Sequence, residues 1–124
     1  MARILIVDDS PSQLVVLRRI VEKLGHEVIT ADDGAAGVEA AKLHLPHLIL
    51  MDVVMPNLNG FQATRTIARE PRTTHIPVVL VTTKDQDTDK IWGERQGAKA
   101  YVTKPVNEVE LVKILKELLP PQHA

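Results

Sequence analysis

Five short apolar runs alternate with longer segments of helical spacing along the chain. The runs are rich in β-branched residues, and their lengths suit strands rather than helices. They are Ile4 to Val7, Val28 to Ala31, Leu48 to Met51, Val78 to Val81, and Ala100 to Val102. We expect each of them to be buried on both faces of a sheet. The segments between them repeat apolar residues every three or four positions, as in Leu14, Leu17, Val21 and Leu24.

This alternation predicts an α/β fold of five βα units. Such a fold is doubly wound, with a five-stranded parallel sheet and helices on both of its faces. The strand order that we predict is 2-1-3-4-5, the flavodoxin-like order. The chain has 124 residues, which predicts one domain over residues 1–124 and no output domain.

Residues that start and stop helices stand between the runs. Ser10, followed by a proline, is typical of a helix N-cap, and Asn107 with Glu110 has the capping-box pattern. Gly25 and Gly97 lie where helix C-caps are expected. The predicted helices therefore have defined ends.

Composition excludes several functional classes. Lys and Arg number 15 and Asp and Glu number 16, so the formal net charge of −1 creates no field for nucleic acid. The absence of cysteine excludes disulfides and thiolate zinc sites. Because the apolar runs are too short for membrane insertion and no signal-peptide pattern is present, we expect a cytoplasmic protein.

Chemically active side chains follow four of the five runs. Asp8 and Asp9 follow the first, Asp52 the third and Thr82 the fourth, and Lys104 lies just beyond the fifth. Parallel strands bind ligands at their carboxyl ends, and strands one and three are neighbours in the order 2-1-3-4-5. We therefore expect these five side chains to lie together. Singly, each is more often a helix cap, a turn residue or a surface lysine, so the combination carries the prediction.

A carboxylate cluster of this kind predicts a particular chemistry. Close carboxylates repel one another, which raises the pKa of at least one of them unless a hard cation such as Mg²⁺ is bound. Mg²⁺ commonly binds together with phosphate groups, and an aspartate can accept a phosphoryl group as a nucleophile. Lys104 would stabilise the transferring charge, and the Thr82 hydroxyl would donate to a phosphoryl oxygen.

These motifs resemble the receiver domains of bacterial two-component response regulators, from Ile4 to Leu119. The resemblance lies in the acidic pair after the first strand, the aspartate after the third, the hydroxyl that ends the fourth, and the pair Lys104-Pro105, whose peptide bond is usually cis in the family. The chain is similar to stand-alone, chemotaxis-type regulators with a CheY-like fold. Residues 60–65 and 81–86 resemble regulators of the chemosensory system that controls type IV pilus twitching motility.

The resemblance implies a role for each site residue. Asp52 would accept a phosphoryl group from the phosphohistidine of a chemotaxis-type sensor histidine kinase. Asp9 and Asp52 would bind Mg²⁺ directly, and Asp8 would bind it through water. The backbone carbonyl of Val54 would complete the protein ligands.

The resemblance also implies how the signal leaves the protein. Thr82 would move toward the phosphoryl group and Tyr101 would turn inward, which alters the surface of helix four, strand five and helix five. A downstream motor or pilus-associated protein would bind there. The regulator, a monomer or weak dimer, would be no enzyme beyond accepting and losing its own phosphoryl group. Whether it carries a signal or drains phosphate from a shared kinase stays open.

Three other functions stay open. A metal-dependent phosphatase also uses an aspartate nucleophile, but it commonly carries a second aspartate two residues later, where this chain has Val54. A flavodoxin-like cofactor module needs a phosphate-binding first loop, where Asp8 and Asp9 would repel the anion. The third is a receiver that binds partners without being phosphorylated.

Two positions beside the predicted site bear on the lifetime of the phosphoryl group. Val54 lies two residues after Asp52, and Lys84 lies two residues after Thr82. In the family, these positions flank the path of the attacking water. Because Val54 cannot orient a water molecule, we expect that hydrolysis is not unusually fast.

Further expectations concern helix four, over residues 86–96, and two histidines. Gly93 should weaken this helix by about 1 kcal/mol relative to alanine, so Gly93→Ala should stabilise it. Trp92 should either anchor the helix in the core, which we favour, or lie on the output face as an interface residue. His44 and His47 have a spacing found in metal sites, but a proline separates them, so we expect solvated loop residues.

Overall fold

A computed structural model describes residues 1–121 of the chain. Strand and helix alternate throughout these residues. The strands are β1 (Arg3–Val7), β2 (Glu27–Ala31), β3 (Leu48–Met51), β4 (Val78–Thr82) and β5 (Ala100–Thr103). The helices are α1 (Pro11–Lys23), α2 (Gly34–His44), α3 (Gly60–Arg69), α4 (Asp87–Arg95) and α5 (Glu108–Leu118). None of the helices within this range is long and apolar enough to cross a membrane.

All five strands pair in parallel, in the order β2-β1-β3-β4-β5. The predicted architecture and strand order are therefore confirmed. Val7 at the end of β1 lies level with Met51 at the end of β3. The residues that follow these two strands consequently begin side by side.

Alternate side chains of each strand face opposite helical layers, as the strand pleat requires. Ile4 and Ile6 of β1 pack in one cluster with apolar residues of α1 and α5. Leu5 and Val7 pack in a second cluster with residues of α2 and α3. The central strands β1, β3 and β4 are almost wholly buried between these layers.

The expectation that every strand is buried on both faces is wrong for the two edge strands. No residue of β2 is buried, and only Val102 is buried in β5. Each edge strand has a single neighbour in the sheet, so its outer side lies near solvent. The same kind of apolar run thus has two different environments, set by its place in the sheet.

The predicted helix caps are confirmed, although among residues 1–121 only one of the two hydrogen bonds of the capping box at α5 is formed. The Ser10 side chain caps α1, and the Asn107 side chain caps α5 by accepting a hydrogen bond from the backbone N–H of Glu110. Gly25 and Gly97 follow the C-caps of α1 and α4 with φ angles of 88° and 110°. These left-handed angles favour glycine, because a side chain is strained there.

Helix α4 lies within one residue of its predicted ends, but the favoured expectation about Trp92 is wrong, and Gly93 lies under a packing constraint that was not predicted. Trp92 is 48% exposed, so it does not anchor the helix in the core. A Cβ atom at Gly93 would lie 2.6 Å from Cδ1 of the fully buried Leu80 and 3.3 Å from the Tyr101 ring. Gly93 therefore lets α4 pack closely on the sheet, and Gly93→Ala would require the Leu80 side chain to shift, which opposes the expected gain in helix stability.

The expectation that His44 and His47 are solvated loop residues is also wrong. His44 ends α2, and the half-buried His47 accepts a hydrogen bond at Nδ1 from the backbone N–H of Arg3, at 2.9 Å. The buried His26 accepts one from the backbone N–H of Ala2, at 3.1 Å. Local spacing does not reveal that the residues preceding β2 and β3 flank the start of β1.

Candidate functional site

The carboxyl ends of β1 and β3 bring three aspartates together. Asp8 and Asp9 follow β1, and Asp52 follows β3. One oxygen from each carboxylate lies within 4.8 Å of the others. Asp8 and Asp52 are buried, whereas Asp9 is exposed at the mouth of the cluster. The predicted convergence of the three carboxylates is thus confirmed.

Lys104 reaches into this cluster from the loop after β5. Its Nζ lies 2.8 Å from Oδ2 of Asp8 and 3.7 Å from Oδ2 of Asp52, and its side chain is only 9% exposed. The Lys104-Pro105 peptide bond is cis, as the resemblance implied. The Lys104 ammonium therefore interacts with two buried carboxylates, in surroundings where charges interact strongly.

Both carboxylate oxygens of Asp8 are engaged by the protein. Oδ1 accepts a hydrogen bond from the backbone N–H of Ser10 at 2.9 Å, and Oδ2 accepts one from Lys104. These contacts fix the orientation of Asp8 within the cluster. They also leave Asp9 as the exposed member of the acidic pair.

Asp52 lies in conflicting surroundings. Burial raises the pKa of its carboxyl most strongly, and the Lys104 ammonium opposes this shift. Asp8 raises the pKa further, whereas the Val53 N–H and the Thr82 hydroxyl lower it. The net shift is upward. The Val53 N–H donates to Oδ1 at 2.8 Å. A raised pKa in this cluster was predicted from repulsion alone, but burial is its larger cause.

Three residues link the site to the α4–β5 side of the molecule. Thr82, at the end of β4, is fully buried, and its Oγ1 accepts a hydrogen bond from the backbone N–H of Lys84 at 3.4 Å. The Tyr101 hydroxyl donates to the backbone carbonyl of the same Lys84 at 2.7 Å. The link through Lys84 was not predicted, because it uses backbone groups that every residue except proline carries.

Val54 and Lys84 lie beside the site, where their sequence positions place them. The Val54 side chain is 58% exposed, and both residues line a shallow depression of about 300 Å³. The Lys84 Nζ lies 3.7 Å from Oδ1 of Asp89, at the start of α4. Within residues 1–121, Val54 belongs to neither buried apolar cluster, so it does not act as a core packing residue.

The structure explains why a glycine starts α3. A Cβ atom at Gly60 would overlap the backbone carbonyl of Asp52. The Gly60 N–H also donates to the carbonyl of Val53 at 2.9 Å. Gly60 therefore lets α3 begin directly against the backbone that carries Asp52, a requirement that sequence spacing did not reveal.

The donor set of the cluster fits a hard divalent cation. Three carboxylates face one lysine, so negative charge is in excess, and all the available side-chain donors are oxygens. Mg²⁺ prefers oxygen ligands and is commonly bound by one or two carboxylates. The chemistry of Asp8, Asp9 and Asp52 is therefore that of a magnesium site.

The fold and this acidic site define a phosphorylation switch, and family comparison identifies its class. The model of the response regulator receiver domain matches residues 4–116. The chain belongs to this family. Receiver domains of this kind take their phosphoryl group from a histidine kinase.

Individual relatives agree with this assignment. The chain is 55% identical to the protein PilH of Pseudomonas aeruginosa over 119 residues, which cover 96% of this chain and 98% of PilH. Among solved structures, it is similar to the chemotaxis protein CheY4 of Vibrio cholerae, with a TM-score of 0.89, 31% identity, and coverage of 96% and 99% of the two chains.

A further similar structure bears on the metal. The receiver domain of a sensor histidine kinase from Pseudomonas aeruginosa has a TM-score of 0.87 and 30% identity to this chain. The alignment covers 94% of this chain and 96% of that one. That receiver domain has a magnesium ion coordinated in its active-site cleft.

Proposed function

We propose that Asp52 is the residue that accepts the phosphoryl group. The observation that carries this proposal is its position between Lys104, with an Nζ–Oδ2 distance of 3.7 Å, and the acidic pair that follows β1. A nucleophilic carboxylate needs a neighbouring cation to draw the phosphoryl oxygens toward it. Asp8, in contrast, has both oxygens already engaged.

The proposed transfer is a displacement at phosphorus. A carboxylate oxygen of Asp52 attacks the phosphorus of a kinase phosphohistidine, a P–O bond forms, the P–N bond breaks, and the imidazole leaves. Lys104 stabilises the charge on the transferring oxygens, and the Thr82 hydroxyl donates a hydrogen bond to one of them. Water later cleaves the acyl phosphate and restores the carboxylate.

Magnesium would be held by Asp9 and Asp52 directly, by Asp8 through water, and by the backbone carbonyl of Val54. When bound, it neutralises charge on the phosphoryl oxygens and offsets the repulsion between carboxylates. The engagement of both Asp8 oxygens by protein groups supports a water-mediated role for this residue.

Phosphorylation would change the surface formed by α4, β5 and α5. The hydrogen-bonded path from Thr82 through the backbone of Lys84 to Tyr101 supports this coupling. Movement of the Thr82 hydroxyl toward a phosphoryl group would alter the position of Lys84, to which Tyr101 is bonded. A partner that contacts Tyr101 would distinguish the two states.

The pathway we propose is chemosensory control of type IV pilus twitching motility. The 55% identity to PilH, over 98% of its length, supports this assignment. The phosphodonor would be a chemotaxis-type kinase in the cytoplasm, and the target a motor or pilus-associated protein. Deletion of the gene in its host should alter the twitching zone on agar, and the Asp52→Asn variant should fail to restore it.

Intact mass spectrometry tests the phosphoacceptor directly. After incubation with acetyl phosphate and Mg²⁺, the parent should gain one phosphoryl group, and Asp52→Asn should gain none. Asp32→Asn is the matched control, because Asp32 is an exposed aspartate just after the neighbouring strand β2. An adduct that persists in Asp52→Asn, or disappears in Asp32→Asn, would contradict the assignment.

A further inference from the structure

A depression between α3 and α4 lies outside the acidic site. Its volume is about 350 Å³, within the lower range of small-molecule sites. It is lined by Arg65, Ala68, Arg69, Arg95, Gln96 and Gly97. A Cβ atom at Gly97 would lie 2.9 Å from Cβ of Ala68, so the two small residues allow close approach of the chain segments here.

Three of the lining residues are arginines without a partner. Within residues 1–121, Arg65, Arg69 and Arg95 form no ion pair and no side-chain hydrogen bond. Arg18 and Arg72, in contrast, each lie near a glutamate. The depression therefore collects three positive charges that the described protein does not compensate.

Helix stability does not account for all three charges. Arg69 and Arg95 lie in the last turns of α3 and α4, where positive charge interacts favourably with the helix dipole. Arg65 lies outside the last turn of α3 and four residues before Arg69, a spacing at which like charges destabilise a helix. An anion bound between them would remove this repulsion.

Gln96 adds a polar side chain without a protein partner to the depression. It is only 8% exposed, and it lines the depression. Its backbone N–H is bonded within α4, but its side-chain amide has no partner among residues 1–121. Since no fully enclosed side-chain polar atom in that range lacks a partner, this amide is open to solvent and available to a ligand in the depression that Gln96 lines.

We propose that this depression binds a small anion that carries phosphate groups. Arginine binds phosphate through two parallel hydrogen bonds, so three arginines suit a ligand with more than one phosphate group. The Gln96 amide would donate to the same ligand. The recessed position of Gln96 favours a small molecule over an acidic protein surface, and the site does not require Asp52.

A titration with inorganic pyrophosphate, monitored by two-dimensional amide NMR, tests the proposal. EDTA keeps the acidic site free of metal, so that this site repels the anion. We expect saturable shifts of the Gln96 and Gly97 amide signals. Arg65→Ala and Arg95→Ala should each weaken binding about tenfold or more, because each removes a charged hydrogen-bonding partner. Arg72→Ala is the matched control and should retain the parent affinity.

Four results would overturn the proposal. The first is the absence of saturable shifts at Gln96 and Gly97. The second is an equal loss of affinity in Arg72→Ala, and the third is an identical response to sodium chloride at the same ionic strength, which would indicate a general salt effect. Binding of an acidic peptide without binding of pyrophosphate would also overturn it and assign the depression to a protein partner.

Discussion

The two ends of the parallel sheet differ in how their polar side chains are paired. At the carboxyl rim, formed by Asp8, Asp9, Asp52 and Lys104, three carboxylates converge on one lysine, and burial raises the pKa of Asp52. At the amino rim, formed by Ala2, Arg3, His26 and His47, each imidazole accepts a hydrogen bond from a backbone N–H of the β1 end. The carboxyl rim thus brings like charges close together, whereas the amino rim provides hydrogen-bond acceptors for backbone N–H groups.

This difference separates function from stability. A buried carboxylate cluster destabilises the folded chain in the absence of a cation, so its presence is explained by the ligand it binds. The histidines at the amino rim provide acceptors for backbone donors that would otherwise lie buried without one. Substitutions at the two rims should therefore have different effects on stability and on phosphorylation.

Removal of Lys104 should have the largest effect. Lys104→Met leaves Asp8 and Asp52 buried without their cation, so the free energy of unfolding should fall by about 3–5 kcal/mol. Phosphorylation should also be lost. Urea unfolding without metal measures the first effect, and Mg²⁺ should restore part of the stability. The exposed Lys99 is the control, since Lys99→Met should change stability by less than about 0.5 kcal/mol.

A substitution at the amino rim should reduce stability and leave phosphorylation intact. His26→Leu deprives the backbone N–H of Ala2 of its acceptor, so it should lower the free energy of unfolding by about 1–3 kcal/mol. His26→Asn should lose less stability than His26→Leu, because the side-chain carbonyl oxygen of asparagine can accept the same hydrogen bond. The exposed His75 is the control. Loss of phosphorylation in a folded His26→Leu would show that the two rims are coupled.

Asp52→Asn should stabilise the protein in the absence of metal. Because the pKa of Asp52 is raised above its ordinary value of 3.8, the folded state binds more protons than the unfolded state above that pH. Stability therefore falls as pH rises through the raised pKa, and the deficit remains at neutral pH. Urea unfolding should show the variant more stable at pH 7 and the advantage lost below about pH 4. A less stable variant at neutral pH would contradict this account.

Val54→Asn should change a rate and leave stability almost unaltered. Val54 is exposed beside the site, and an asparagine amide there can orient the attacking water. The variant should lose its phosphoryl group faster than the parent, as measured by the decay of the adduct in intact mass spectra. Val54→Ala is the control without a polar group. Equal decay in the parent and Val54→Asn would remove any role of this position in hydrolysis.

Titration of Tyr101 should show the smallest effect, because it concerns only alkaline pH. Burial raises its pKa to about 12, with smaller contributions from the nearby aspartates Asp89, Asp85 and Asp52. This is the only tyrosine of the chain, so tyrosinate absorbance reports it alone. The folded protein should titrate well above the urea-unfolded chain, and stability should fall as pH rises through about 10 to 12. Coincident titration curves would contradict this.

Prediction from sequence worked where the signal was local or topological. The strand ends that carry Asp8, Asp9 and Asp52 were placed correctly, because apolar runs and a parallel connection determine which ends meet. Lys104 also lies at the same edge, since it follows another strand of that sheet. These inferences required no knowledge of side-chain packing.

Prediction failed where the answer depended on packing between distant segments. Of the two positions expected for Trp92, the core was favoured, yet α4 places this residue at the surface. Gly93 was treated as a weak helix residue, although contact with Leu80 requires its small size. His47 was expected in solvent, but it lies beside Arg3 of another strand.

The sequence by itself determined the alternation of elements, the helix ends and the set of residues at the carboxyl rim, because hydrophobic periodicity and capping act over a few residues. Only the tertiary structure decided which carboxylate Lys104 approaches most closely, why Gly60 and Gly93 must be small, and how Thr82 connects to Tyr101. These contacts join residues far apart in the chain, and their distances depend on the packing of whole helices against the sheet.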